Sequence, residues 1–160
     1  MLTVSDVPRH ALTGLLQRFG LELVLQKPDE SIRGSFWGDS EAGIVGRTVN
    51  IRDDTPVHSL LHETCHVICM TEDRRAALDR DAGGDDLEEA AVCYLQVILA
   101  DHIEGVGRHL LMADMDAWGY SFRLGNTLDW FQNDAEDAAE FLMNHGLLST
   151  QGELTFRLRD

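Results

Sequence analysis

His62 and His66 stand four residues apart, with Glu63 beside the first, inside the stretch HSLLHETCHVICM at 58–70. On a helix, residues four apart share one face. Both imidazoles can therefore turn a ring nitrogen toward a single metal ion. Glu63 falls about 100° round the helix, beside such an ion but poorly placed to ligate it. That position suits a base for a water polarised by the ion. With 7 histidines and 11 glutamates in 160 residues, this H-E-x-x-H arrangement is expected by chance only about 0.02 times. Packed or exposed histidines on an amphipathic helix are the bland alternative, and that rarity weighs against it.

A catalytic zinc needs a third protein ligand and an open fourth position. The next helix, in the stretch DDLEEAAVCYLQ, offers Glu88 and Glu89. If Asp85 caps this helix, Glu88 is at the third helical position and can reach back to the cap, which leaves Glu89 for the ion. If Asp86 is the cap, the roles exchange. Two histidines and a carboxylate also accept other divalent transition metals.

HETCH followed by a helix carrying EEAAVCY resembles the zincin metallopeptidases with a glutamate ligand, and most closely the compact ImmA/IrrE-like or minigluzincin group. The resemblance covers roughly residues 20 to 100 and implies a short sheet, an active-site helix and a zinc-dependent peptidase. In the E-x-x-A register of that group Glu88 aligns as ligand, with Ala91 and Tyr94 as the small and aromatic positions. An E-A pair favours Glu89 with Ala90 instead. The chain departs from the group at Cys65 and Val92. The resemblance also implies that GRTVNIR is an edge strand along which an extended peptide would lie, pairing through its backbone.

His58 lies one turn before His62, either as a further partner or as an exposed first-turn residue. The stretch DMDAWGYSFRLG at 114–125 carries Tyr120 and Arg123, which could wall a cleft and steady an oxyanion. His102 and His109 compete for that role. Asp73, Asp79, Asp85 and Asp86 surround the gap between the two helices, where a carboxylate could orient a ligand histidine. Cys65, Cys69 and Cys93 suit core packing better than a metal site, because no C-x-x-C pair is present.

These groups need a scaffold. RHALTGLLQRFG after Pro8 reads as a helix with Leu12, Leu15, Leu16 and Phe19 on one face, ended by Gly20. LELVLQ, SIRGSFWG and GIVGRTVNIR read as strands. Thr55 with Pro56 opens the H-E-x-x-H helix, which can extend to Leu78. DLEEAAVCYLQVILADHI is the second long helix, GVGRHLLMADMDAWG a shorter one, and LDWFQNDAEDAAEFLMNHG a last helical region begun by Asn126 or Thr127. ELTFRLR reads as a final strand or an extended tail. The expected fold is a single α+β domain over 1–160, with a small N-terminal antiparallel or mixed sheet and the H-E-x-x-H helix packed on further helices.

The net charge of -15 repels phosphate backbones and anionic membranes, so neither nucleic acid nor membrane is an expected partner. The N-terminus lacks a basic segment followed by an apolar core, and an odd count of three cysteines is no disulfide framework. A cytoplasmic protein is expected, acting on a peptide or protein substrate. Its oligomeric state is not legible. Two other readings stay open: a catalytically inactive zincin-like regulatory or protein-binding module that can retain metal, and a redox or metal-sensing protein using Cys65, Cys69 and Cys93.

Overall fold

The computed structural model describes residues 1–36 and 40–160. Within them the chain is α+β, with seven α-helices and a three-stranded mixed sheet. A single 3-10 turn, Val4–Asp6, precedes α1 (Arg9–Arg18), which buries Leu12, Leu15 and Leu16. Phe19 is buried just after it, and Gly20 turns the chain at a φ of 73°. β1 (Glu22–Leu25), β2 (Gly43–Val45) and β3 (Thr48–Ile51) follow, in the spatial order β1-β3-β2. β3 pairs parallel with β1 and antiparallel with β2.

The sheet departs from expectation in three places. GIVGRTVNIR is not one strand but the β2–β3 hairpin, turned at Gly46, whose φ of 57° suits glycine at the first position of a tight turn. Residues 31–36 form no strand, and the rest of SIRGSFWG lies outside the described residues. β3 is also the central strand rather than an edge. The outer edge of β2 is already engaged: Ile44 N–H donates to Gly34 O at 3.1 Å, Arg80 N–H to Ile44 O at 3.1 Å, and Gly46 N–H to Leu78 O at 3.0 Å. Gly43 has no room for a side chain, because a Cβ there would collide with Arg33 O and Ser35 N.

α2 (Val57–Cys69) carries the two histidines. Pro56 occupies its cap position, while the Thr55 hydroxyl accepts from Arg52 N–H at 2.9 Å and closes the preceding turn instead. The helix stops at Met70 rather than running to Leu78. Thr71 caps a separate α3 (Glu72–Ala76), and the fully buried Arg75 answers the orphan carbonyls at the end of α2. Its guanidinium donates to Val67 O at 2.9 Å and Met70 O at 2.8 Å.

α4 (Asp86–Ala100) packs against α2, against α5 (Gly107–Trp118) and against α7 (Glu136–Asn144). The last helical region is two helices, α6 (Thr127–Asn133), capped by Asn126, and α7. The segment after α7 is an extended tail, and Arg159 N–H donates to Ile68 O at 2.9 Å. One hydrophobic cluster joins residues from Val4 to Leu148. No helix among the described residues is long and apolar enough to cross a membrane.

Candidate metal centre

The site is made where α2 faces the first turn of α4. Asp85 caps α4, its Oδ1 accepting from Glu88 N–H at 2.9 Å. The cap sets the rotation of that turn and so the directions of the two glutamates. Glu89 turns toward α2, with Oε1 3.0 Å from His62 Nε2 and Oε2 3.1 Å from His66 Nε2. Four residues on a helix bring the two rings together at 4.7 Å between centroids. The ligand atoms of His62, His66 and Glu89 all lie within 4.8 Å of one another, and no other such group occurs among the described residues.

Glu88 points the other way and is buried. It does not reach back to the cap. Arg74 holds it through two bonds of 2.7 and 2.8 Å, and Arg159 through one of 3.0 Å. Its role as a ligand is therefore corrected to that of an anchor joining α3, α4 and the C-terminal tail. Tyr94, expected as the aromatic companion of this register, stacks on Phe131 at 4.6 Å.

A cleft of about 360 Å³ opens over the three donors. Glu63 lines it with no hydrogen-bond partner among the described residues, and burial raises its carboxyl above the usual range. Phe36, Trp118 and Tyr120 also line the cleft, with Arg80 and Asp81 from the α3–α4 connection. Burial opposes charging His62 and Glu89 alike; the neighbouring Tyr120, Cys93 and Glu89 nevertheless raise the His62 imidazole, and contact with His62 and His66 lowers the Glu89 carboxyl.

Tyr120 follows Gly119, which ends α5 in the left-handed conformation at φ 110°. Its ring stands 5.6 Å from that of His62, and its oxygen lies 3.2 Å from His58 Nδ1. Burial pushes its phenol up to about 12, so the O–H proton is retained at neutral pH. His58 is fully buried rather than exposed. Its ring lies 4.9 Å from Trp118, and burial lowers its imidazole to about 4. It is not among the grouped donors.

Arg123 does not enter the cleft. It is exposed and paired with Asp134, because the 121–125 loop carries it outward. His102 rests against Phe156, and His109 borders a separate depression on α5. None of the four aspartates around the gap orients a ligand. Gln96 fills that place for His62, its Oε1 3.0 Å from Nδ1. It escaped the sequence reading, although a lone amide in an apolar run two turns after Glu89 was its signal. Cys65, Cys69 and Cys93 are buried, and burial raises the thiols of Cys65 and Cys69.

Comparison of the chain with protein-family models, with curated proteins and with solved structures finds no match.

Proposed function

We propose that this protein is a zincin-type hydrolase, a metallopeptidase in which His62, His66 and Glu89 hold a zinc ion and Glu63 is the general base. One observation carries the reading: two imidazole nitrogens and a carboxylate converge at the floor of a cleft that Glu63 also lines. The donor set fits the ion. Both Nε2 atoms face Glu89, and two nitrogens with one carboxylate oxygen match the protein ligands of an open catalytic zinc site. The order of a small mixed sheet, an H-E-x-x-H helix and a following ligand helix supports the same reading.

A bound zinc ion would supply Lewis-acid activation of water and of the scissile carbonyl. Glu63 takes the proton of the attacking water and passes it to the leaving amine nitrogen. Its raised carboxyl moves toward working pH, which favours both transfers. Tyr120 keeps its proton and stands beside His62, so its O–H can donate to the carbonyl oxygen as negative charge gathers there. Phe36 and Trp118, both exposed, offer apolar surface to substrate side chains. The thiol-based reading finds no support: Cys65, Cys69 and Cys93 are all buried, and burial raises the thiols of Cys65 and Cys69.

The test is cleavage of a diverse peptide pool by zinc-loaded protein, followed by mass spectrometry. Glu63→Gln should keep the metal and lower turnover by about 10²–10⁴-fold. Wild-type cleavage equalled by Glu63→Gln would refute the role of Glu63. A fully metallated wild type that cleaves nothing would favour a binding module.

A further inference from the structure

The geometry points to Gln96 as a positioning residue: its amide fixes the tautomer of His62 and aims His62 Nε2 at the ion. The inference rests on the metal-site reading above and extends it to a residue deep in α4.

Gln96 has no exposed surface, so its oxygen and its two N–H hydrogens need partners inside the protein. Its Nε2 lies 2.8 Å from the backbone carbonyl of His58. A carbonyl only accepts, so the nitrogen must face it, and the amide has one orientation. Oε1 then lies 3.0 Å from His62 Nδ1. Oε1 also only accepts, so Nδ1 carries a hydrogen. Nε2 faces the Glu89 carboxylate at 3.0 Å, and the hydrogen shared there is the one an ion displaces to reach the Nε2 lone pair. The remaining N–H of Gln96 reaches Tyr120 Oη at 3.3 Å.

One side chain thus links a ligand histidine to the backbone of its own helix and to the tyrosine on the cleft wall. Without it, His62 could place its hydrogen on Nε2 and present no lone pair to the ion. His66 has no such support, for its Nδ1 is buried without a partner among the described residues. The burden of holding a ligand ring by a hydrogen bond therefore falls on Gln96.

The test compares wild type, Gln96→Met and Gln96→Glu. Methionine keeps the approximate volume and removes every hydrogen bond. A glutamate keeps an oxygen that accepts from His62 Nδ1–H, although as a carboxylate it no longer donates to His58 O. Two readouts need no substrate. The first is long-range ¹H–¹⁵N correlation of the His62 ring in metal-free protein carrying Glu89→Ala as a common background, which removes the acceptor competing at Nε2, at a pH high enough to leave the imidazole neutral. The second is zinc affinity by competition with a chelating dye. Wild type should show the Nδ1–H tautomer. Gln96→Met should lose that preference and bind zinc about 10–100-fold more weakly. Gln96→Glu should restore both. The inference is overturned if wild-type His62 carries its hydrogen on Nε2, or if Gln96→Met matches wild type in both readouts. Should Gln96→Met fail to fold, the wild-type spectrum and the Gln96→Glu affinity still decide the matter. A wild type that binds no zinc would defeat the proposed function, and the tautomer measurement would judge Gln96 separately.

Discussion

Adjacent glutamates with opposite duties make a sharp prediction. The Glu88 side chain is 5% exposed, and its partners Arg74 and Arg159 are 33% and 20% exposed. Glu88→Ala strips two arginines of their shared anion and leaves a void in the core of α4. Breaking a buried pair costs about 3–5 kcal/mol; the arginines keep some contact with water, so about 3 kcal/mol applies here. In a chain of this size, about 1 kcal/mol moves the melting midpoint by ~2–4 °C, so the loss should be about 6–12 °C. Glu89 differs, because its side chain is 50% exposed. Removing it from metal-free protein should change stability by no more than about 1 kcal/mol. The metal increment is where it matters. Free zinc at a hundredfold excess over its dissociation constant stabilises wild type by about 2.7 kcal/mol, or about 5–11 °C. Thermal melts of both variants with and without zinc give four numbers. Glu88→Ala should melt low and keep the increment; Glu89→Ala should melt near wild type and lose it. A Glu89→Ala protein that still gains several degrees from zinc would refute the assignment of Glu89 as ligand.

Four further outcomes follow from the packing and the site. Gly43→Ala forces a methyl group onto Arg33 O and Ser35 N and should lower stability by about 1–3 kcal/mol in denaturant titration. Cys65, Cys69 and Cys93 are all buried, so a thiol reagent should label none of them in the folded protein and all three after unfolding. The raised thiols of Cys65 and Cys69 contribute stability that is present below the ordinary thiol range and lost as pH rises through it, because only the unfolded chain then ionises; denaturant midpoints between pH 7 and pH 10 should fall accordingly. Zinc uptake at neutral pH should release protons, because His62 is held above its usual range and must lose a proton to ligate; uptake without release in weakly buffered solution would contradict that.

The parts of the site readable in advance are those set by local spacing. Two histidines four apart on one face need only a helix, and VHSLLHETCHVIC supplies it. Asp85 as a helix cap is equally local. The fate of Glu88 is not, since its partners lie 14 and 71 residues away. The same limit applies to Tyr120 and Arg123. Three residues apart, they share a stretch that reads as one wall, yet only Tyr120 meets the histidines, while Arg123 finds Asp134 eleven residues on. The small mixed sheet is as expected, but its strand boundaries and order were not legible, for two reasons. The β2–β3 turn hides inside an alternating run, where Gly46 was the only cue. The parallel pairing of β3 with β1 brings together segments about 26 residues apart, as Glu22 opposite Thr48 shows. Arg75 as the terminator of α2 was illegible for a similar reason: a charged residue in a polar stretch gives no sign that it will be wholly buried.

The most direct measurement is anomalous diffraction at the zinc absorption edge from crystals of zinc-loaded protein. The account predicts one strong peak within coordination distance of His62 Nε2, His66 Nε2 and a Glu89 carboxylate oxygen, with Glu63 beside it and not bound. A peak at Glu88 or at the cysteines, or no peak from protein that had been given zinc, would contradict it.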